Sequence, residues 1–566
     1  MSDDGDDDGD DEEDQSVSAP IRPEVRLSTI SKASVVRDDA EGVELTLRPN
    51  ENVTFLGEYD LEVLTGLVTV YGAVLHPSRG VQRIYAPAVA PLPVIQPWKQ
   101  TATIRVTSVD FGLQSIENLS PLFRNCGAKD LAQKRSFALM RTTGDDSMAR
   151  SLAPLDIDEG IKKVRLEPEG PSPRIMAVGP KSSGKSTFNR LLCNMITSRA
   201  GKAKSRCLYL DLDPGQPEFG PPGQLALVEV TAPVLGPPFT HAASTRSTAY
   251  RMIRSHTIAA TSFKDDPEHY IACAVDLVNH AAKDVPVVVN SCGWVSNLGA
   301  STMVALASKL AITELILFEP VDSDLAHELA TITGSSPIRI PRRSRQQASR
   351  TPAELRAMQT MTYFHQKPTG TTTKWISKPI SSIRPWIVAY AGQNPGITAI
   401  LNYGHAPHPD YLEEVLNGTI VAIVVIDPSL LDPDEIQRTT VEDLPYLPPK
   451  DNLGYTPPLD PRRSHCIGLA LVRGIDVEAK ALQLVAPLHE SAIAAIMDQR
   501  VVLVRGGFDC PDWAYMEDLY SNKDAAANLD DDVEERPWLS RQGEQQVGIE
   551  SAVWRLRHPP MAKDVR

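Results

Sequence analysis

Residues 173–192 read PRIMAVGPKSSGKSTFNRLL and restrict the possible folds more than any other stretch. A short apolar run at 175–178 precedes the glycine-containing loop, and apolar residues at helical spacing follow it. This order predicts a phosphate-binding loop between a strand and a helix. Gly179 and Gly184 allow the loop to curl so that successive backbone N–H groups point inward, toward an anion.

The side chains of this loop are those that a bound triphosphate needs. Lys185 supplies a cation for the β- and γ-phosphates, and the hydroxyl of Ser186 is a ligand for Mg²⁺. The chain is therefore predicted to bind a nucleoside triphosphate with Mg²⁺. The predicted nucleotide-binding residues are Gly179, Pro180, Lys181, Ser182, Ser183, Gly184, Lys185, Ser186 and Thr187.

Length and charge limit the remaining possibilities. A chain of 566 residues exceeds what one hydrophobic core usually supports, so about three domains are expected. The formal net charge is −15, but ten acidic residues lie within positions 3–14, so the remainder carries only −5. Any bound polyanion must then be held by local basic clusters rather than by the overall field. The acidic arm fits either a solubility tail or a tail that docks a partner.

The seven cysteines include no CxxC pair, which disfavours a structural zinc site and a disulfide framework and suits a reducing compartment. No apolar run reaches membrane length, and an acidic N-terminus is unlike a secretory signal. We expect an intracellular, soluble protein with no membrane association.

The hydrophobic patterns predict an α/β protein with three folded parts. Residues 1–25 are expected to be a disordered acidic arm. Residues 26–160 alternate in short segments, which predicts an antiparallel, β-sandwich-like N-terminal domain that either flanks the nucleotide site or presents RNA. Residues 161–400 alternate strands with helices, as in a P-loop NTPase with a central parallel sheet. Residues 401–535 predict a C-terminal α/β domain, and residues 536–566 form a tail.

The strand after the loop helix ends in two carboxylates, Asp211 and Asp213. Positions two apart on a strand face the same side, so both can reach the carboxyl edge of a parallel sheet, where ligands bind. One carboxylate can hold a metal-bound water while the other orients or deprotonates an attacking hydroxyl. Phosphoryl transfer needs this division of roles.

Two further stretches carry residues suited to a polynucleotide substrate. Trp294 follows the apolar strand at 285–289 and is placed to stack on a base, although a lone tryptophan also fits core packing. Four arginines lie within residues 342–350. They fit a clamp for the transferring phosphoryl group, an RNA-backbone patch or a solvated basic face.

Four motifs together resemble the eukaryotic RNA 5′-hydroxyl kinases: the loop GPKSSGKST, the strand end LDLDPGQPEFGPPG, the turn NSCGW and the Arg345/Arg350 pair. That family includes the kinase of messenger-RNA 3′-processing and tRNA splicing and the nucleolar kinase of pre-ribosomal RNA processing. The PGQPEF and PPG elaboration, the KDDPEHY stretch from Lys264 and the C-terminal GIESAVWRLR resemble the nucleolar branch. The resemblance extends from about residue 42 to the C-terminus.

The resemblance implies a role for each matching residue. Asp213 matches the carboxylate that activates the RNA 5′-hydroxyl, and Arg345 and Arg350 match the lid arginines. In the segment 256–263, Ala259 and Phe263 stand where the family usually has a glycine and a proline. The implied catalytic residues are Lys185, Asp213, Arg345 and Arg350; the implied metal site is Ser186, Asp211 and Gln216; the implied RNA-binding residues are Thr261, Ser262, Ser291, Gly293 and Trp294.

The resemblance implies an ATP- and Mg²⁺-dependent polynucleotide 5′-hydroxyl kinase of the nucleus and nucleolus. Its substrate would be pre-ribosomal RNA cut in the second internal transcribed spacer, and its partner the endoribonuclease that makes the cut. The tail residues Trp554, Arg555 and Arg557 would bind that partner, although such a tail also fits a last strand. Two other functions remain: an ATPase switch, and an ATP-binding scaffold that activates the nuclease.

Overall fold

A central, mostly parallel sheet lies between two other β-rich parts of the chain. The structure is a computed structural model that describes residues 25–109, 112–124, 126–127, 135–143, 155–166, 171–199, 205–241, 249–341, 350–367, 374–450 and 454–521. The acidic arm, Arg345 and the tail residues Trp554, Arg555 and Arg557 lie outside these ranges. All seven cysteines are free. In the described part of the chain, no helix has the length and apolarity that crossing a bilayer requires.

The N-terminal region is an antiparallel β domain, as the alternating segments predict. Its core is built around three aromatic rings, Phe55, Tyr59 and Phe137, whose centroids lie 5.3–5.9 Å apart. The 13-residue strand β4 pairs with four other strands. The strands are β1 (Val25–Arg26), β2 (Val35–Asp39), β3 (Gly42–Leu47), β4 (Val53–Thr65), β5 (Val68–Val70), β6 (Ala73–Leu75), β7 (Gln82–Ala86), β8 (Val94–Pro97), β9 (Ala102–Ser108), β10 (Phe137–Leu139) and β11 (Thr142–Thr143).

The central sheet has seven strands, in the order β15-β14-β13-β16-β12-β17-β18. Strands β13, β16, β12, β17 and β18 run parallel, and β14 and β15 extend one edge as an antiparallel pair. Val287, Val288 and Val289 are all buried, as expected for a parallel strand covered on both faces. The strands are β12 (Arg174–Val178), β13 (Cys207–Leu212), β14 (Gln224–Val230), β15 (Tyr250–Thr257), β16 (Val287–Ser291), β17 (Glu314–Phe318) and β18 (Ile338–Ile340).

Helices cover both faces of this sheet. Helices α1 (Leu155–Lys163) and α2 (Lys185–Ser198) pack on one face. Helices α3 (Pro267–Asn279), α4 (Leu298–Lys309) and α5 (Ser323–Thr333) pack on the other. Ile161 of α1 is buried against the central sheet, so the boundary expected at residue 160 falls inside a helix of the central domain.

The third sheet is mixed, in the order β19-β27-β26-β22-β28-β20-β24-β23, and β21 pairs separately with β25. Its first strand begins at Trp386, so the boundary expected at residue 400 lies within this sheet rather than before it. The strands are β19 (Trp386–Ala389), β20 (Ala399–Asn402), β21 (Gly404–His405), β22 (Ile420–Ile426), β23 (Gln437–Arg438), β24 (Pro445–Tyr446), β25 (Tyr455–Thr456), β26 (Ser464–Asp476), β27 (Ala481–Val485) and β28 (Arg500–Arg505); the helices of this part are α6 (Pro352–His365), α7 (Leu412–Leu416), α8 (Glu490–Ala494) and α9 (Asp512–Ser521).

Candidate active site

The glycine loop leaves β12 and turns into α2 with the backbone geometry of a phosphate-binding loop. Ser182 and Gly184 both have positive φ, 60° and 104°, and Gly184 caps the N-terminus of α2. A Cβ on Gly179 would lie 2.6 Å from the Cβ of Phe318, so only glycine fits where the loop crosses β17. The N-terminus of α2 therefore faces the loop, which favours binding of an anion.

Lys185 is buried in this loop and folds back onto it. Its Nζ donates to the carbonyl oxygens of Gly179, at 2.8 Å, and Pro180, at 2.9 Å. Burial lowers the pKa of Lys185, and the nearby carboxylate of Asp213 opposes that shift. The ammonium group is thus held within the loop, next to an acidic group from the neighbouring strand.

The hydroxyl group of Ser183 is a candidate hydrogen-bond donor to a bound phosphate. Its Oγ is buried and has no hydrogen-bond partner among the described residues. A buried hydroxyl without a partner is costly, and a phosphate oxygen would satisfy it. The loop residues therefore fit the bound triphosphate that the sequence predicts.

Ser186 connects the loop to the neighbouring strands through Asn290. The Ser186 Oγ donates to Asn290 Oδ1 at 3.3 Å, and Asn290 Nδ2 donates to Asp211 Oδ1 at 2.9 Å. Asn189 also donates to Asn290 Oδ1, at 3.3 Å. With its proton directed at Asn290, the Ser186 hydroxyl keeps lone pairs for a cation, which fits the predicted Mg²⁺ ligand.

Asp211 contacts Asn290 from the interior of the protein and is not exposed at the glycine loop. It is fully buried, and its Oδ2 accepts the backbone N–H groups of Glu218, at 2.6 Å, and Phe219, at 3.1 Å. Burial raises the pKa of Asp211 to about 8. The structure thus places Asp211 where it positions Asn290 and the loop at 213–220. Gln216, its expected partner at the metal, has an exposed side chain.

Asp213 is half-buried and faces the glycine loop. Its Oδ1 accepts the N–H groups of Gly215 and Gln216, each at 3.1 Å, and its Oδ2 accepts no hydrogen bond from the described residues. Burial raises the pKa of Asp213, while these N–H groups and the cations Lys185 and Lys181 oppose the shift. The carboxylate can therefore accept a proton from a group that enters beside Lys185.

The turn at 290–294 packs directly against the glycine loop. A Cβ on Gly293 would lie 2.8 Å from the backbone N of Lys181. Ser291 is buried, and its Oγ donates to the Ala177 carbonyl at 2.7 Å, so in this structure its hydroxyl joins two strands. Trp294 is half-buried, with its ring 5.4 Å from that of Phe263. Its indole therefore both packs on the core and reaches the surface beside the loop.

Thr261 and Ser262 lie next to the turn that follows Asp213. Both are half-buried, and the Thr261 carbonyl oxygen is 2.9 Å from where a Cβ on Gly215 would lie. The segment is therefore in contact with the turn that holds the Asp213 carboxylate. The Ser262 Oγ accepts the N–H of Lys264 at 3.3 Å.

Arg350 lies against the N-terminal domain. Its Nη2 donates to the Leu122 carbonyl at 3.0 Å, in a 3-10 turn at Pro121–Phe123. The lid role expected for Arg350 thus differs from the contact that it makes here. Arg345 lies outside the described residues.

The chain is similar to known proteins over most of its length. Residues 179–366 match the family described as mRNA cleavage and polyadenylation factor CLP1 P-loop. The polynucleotide 5′-hydroxyl-kinase grc3 of Aspergillus oryzae is 35% identical over 87% of this chain and 69% of its own length. The GRC3 protein of Gibberella zeae is 32% identical over 91% of this chain and 80% of its own length. The chain belongs to the Grc3 family of polynucleotide 5′-hydroxyl-kinases. The solved wild-type Clp1p in complex with Pcf11p (454–563) covers 84% of this chain with a TM-score of 0.49 and 13% identity.

In this Grc3-family chain, a buried ionic cluster supports the site, and sequence reasoning missed it. The Glu218 carboxylate accepts two hydrogen bonds from Arg190, at 2.6 and 3.0 Å, and one from His241, at 3.0 Å. Arg190 lies one turn after Ser186 on α2. Glu218 thus ties the glycine-loop helix to the loop at 213–220. The acidic residue of the PGQPEF elaboration and an arginine on α2 were the available signals.

Proposed function

We propose that this chain transfers the γ-phosphoryl group of ATP to the 5′-hydroxyl end of RNA. The observation that carries the proposal is the half-buried Asp213 carboxylate, which faces the Lys185 and Lys181 cations of the glycine loop. A triphosphate cradle alone fits many reactions. A proton acceptor beside the cradle, in a chain of this family, favours an alcohol as the acceptor of the phosphoryl group.

Each residue near the glycine loop has a distinct role in the proposed transfer. Asp213 orients the 5′-hydroxyl and takes its proton as the new O–P bond forms. Lys185 exchanges its loop carbonyl contacts for the β- and γ-phosphate oxygens and offsets their charge. The Ser186 hydroxyl, directed by Asn290, would hold Mg²⁺, which supplies further charge compensation when bound. Trp294, with Thr261 and Ser262, borders the path for the RNA end.

End-labelling tests the proposal directly. The protein is incubated with γ-labelled ATP, Mg²⁺ and RNA oligonucleotides that carry either a 5′-hydroxyl or a 5′-phosphate. Label should appear only on the 5′-hydroxyl RNA. Label release as free phosphate without transfer to RNA would contradict the proposal and favour an ATPase.

The Asp213→Asn variant tests the base. Because general-base catalysis typically contributes about 10²–10⁴-fold, transfer should fall by that factor while ATP binding is kept. Burial raises the pKa of Asp213. The wild-type kcat/KM should therefore rise with pH through a value above the ordinary 3.8, and Asp213→Asn should lose this dependence. Normal turnover by the variant would remove Asp213 from the mechanism.

We further propose the RNA and the setting from the resemblance to the nucleolar branch. The substrate is pre-ribosomal RNA after endonucleolytic cleavage in the second internal transcribed spacer, in the nucleolus. The chain acts there in a stable complex with the endoribonuclease that makes the cut, and the tail with Trp554, Arg555 and Arg557 binds it. Co-purification of the full chain and a Trp554→Ala variant with that nuclease tests the complex. Equal recovery by both would contradict the role of the tail.

A further inference from the structure

The loop that follows β28 enters the central domain with four consecutive residues, 506–509, here called the interdomain loop. A Cβ on Gly506 would lie 2.5 Å from the Ala259 carbonyl oxygen and 2.6 Å from the Ala259 Cβ. Gly507 forms a parallel bridge with Ala260. The backbone of the third domain thus lies directly on the segment at 259–260.

The other two residues of the interdomain loop contact Gly223 of the central domain and helix α6. The ring of Phe508 covers Gly223, since a Cβ there would lie 2.4 Å from the Phe508 Cε1. Asp509 forms an ion pair with Arg356 on α6, at 2.5 Å. One short loop therefore touches the end of β15, the start of β14 and a helix.

Both contacted segments lead directly to the candidate active site. Ala259 and Ala260 immediately precede Thr261 and Ser262. The Gly223 N–H donates to the Pro214 carbonyl at 2.8 Å, next to Asp213 in sequence. The Gly223 carbonyl oxygen accepts the Ile258 N–H at 3.1 Å, so the two segments are also joined to each other at Gly223.

We propose that the interdomain loop is a positioning element for the acceptor side of the site. It holds the Asp213 turn and the Thr261–Ser262 segment in register with each other, and so sets where the RNA end meets the base. The proposal rests on the proposed function for its catalytic consequence. Its structural content, the positioning of 213–223 and 257–263 by the third domain, is testable without catalysis.

Two adjacent glycines offer a matched pair of variants. In Gly506→Ala the new methyl group meets backbone at 2.5 Å, so the loop or the Ala259 segment must shift. In Gly507→Ala the nearest atom would be 3.9 Å away, an ordinary contact. Both replace glycine by alanine in the same loop, so they differ chiefly in displacement of the 259–260 segment. Phe508→Ala, with Phe508→Leu as its conservative counterpart, perturbs Gly223 independently.

Hydrogen exchange measures whether the two segments are displaced, and steady-state kinetics with RNA as the varied substrate measure the effect on transfer. Gly506→Ala and Phe508→Ala should exchange amides faster in peptides that cover 213–223 and 257–263, while Gly507→Ala and Phe508→Leu match the wild type. The kcat/KM for 5′-hydroxyl RNA should fall roughly ten- to a hundredfold in the first two variants, because small displacements of reacting groups are costly. The Kd for ATP, measured by calorimetry, should stay within about twofold.

The outcomes separate this inference from the proposed function. The inference would be overturned if Gly506→Ala and Gly507→Ala had the same amide exchange and the same kcat/KM for RNA. It would also be overturned if Gly506→Ala lost ATP binding together with RNA transfer, because that result indicates general disruption. If Gly506→Ala fails to fold, the same measurements on Phe508→Ala and Phe508→Leu test the inference. If the wild type transfers no phosphate to RNA, the proposed function fails, and the exchange comparison still decides whether the loop positions these segments.

Discussion

Replacing Glu218 by glutamine keeps its shape and removes a buried charge from the cluster with Arg190 and His241. The Glu218 side chain is only 1% exposed, and Arg190 is 14% exposed. Loss of one partner leaves the other charge buried without compensation, which typically costs about 3–5 kcal/mol. Burial alone would raise the pKa of Glu218, but the Arg190 and His241 contacts outweigh it and lower the pKa to about 2, against an ordinary 4.5. At about 1.4 kcal/mol per pKa unit, this difference corresponds to roughly 3 kcal/mol, in agreement.

Urea denaturation followed by tryptophan fluorescence measures this loss. Because the folded-state pKa of Glu218 is lowered, its contribution is fully present above pH 4.5 and is lost as the pH falls toward 2. The gap between wild type and Glu218→Gln should therefore be widest near neutral pH and narrow below pH 4.5. The control is Glu229→Gln, whose partners Arg206 and Arg251 are 42% and 64% exposed, so it should cost under about 1 kcal/mol. Equal losses in the two variants would refute the reasoning.

Three further predictions concern the site. Lys185→Met should weaken ATP binding at least about tenfold by calorimetry, because it removes a charge-assisted hydrogen bond worth about 1.5–3 kcal/mol. Asn290→Ala should reduce the effect of Mg²⁺ on ATP affinity, measured with and without the ion, because Ser186 loses the acceptor of its proton; an unchanged Mg²⁺ effect would contradict this. Arg350→Ala should lower the melting temperature and leave the KM for ATP unchanged, because Arg350 bonds a carbonyl of the N-terminal domain. Lost transfer at unchanged stability would instead support the lid role.

The sequence predicts the central sheet closely because parallel strands buried on both faces are continuous apolar runs. The strand at 175–178 and the helix after the loop are found at Arg174–Val178 and Lys185–Ser198. The strand predicted at 285–289 is found two residues later, at Val287–Ser291. Proline at 286 has no N–H to donate, so the ladder of β16 begins after it. The domain boundaries at residues 160 and 400 are harder to predict, because the sequences of α1 and β19 do not indicate which sheet these elements join.

The candidate site was predictable where one short motif carries the function, and not where partners are far apart in sequence. The glycine loop and Asp213 are recognisable from local sequence. The local sequence does not show that Asp211 is buried while Asp213 faces the glycine loop. That difference depends on how the chain at 214–219 folds back over Asp211. The sequence shows Asn290 only as part of a turn, since its contact with Ser186 forms only when two parallel strands lie side by side.

The loop at 213–220 is held from several independent directions, and this matters for a proton acceptor. Asp211 accepts two of its backbone N–H groups from inside, and Glu218 fixes it to Arg190 on α2. From α6, Gln359 donates to the carbonyl oxygens of Pro217, at 2.9 Å, and Gly220, at 2.6 Å. A carboxylate on a loop fixed in this way needs little reorganisation when charge develops on the reacting oxygens, which is the condition under which preorganised groups accelerate reactions most. The PGQPEF elaboration is therefore better explained as the rigid support of Asp213 than as an added contact surface.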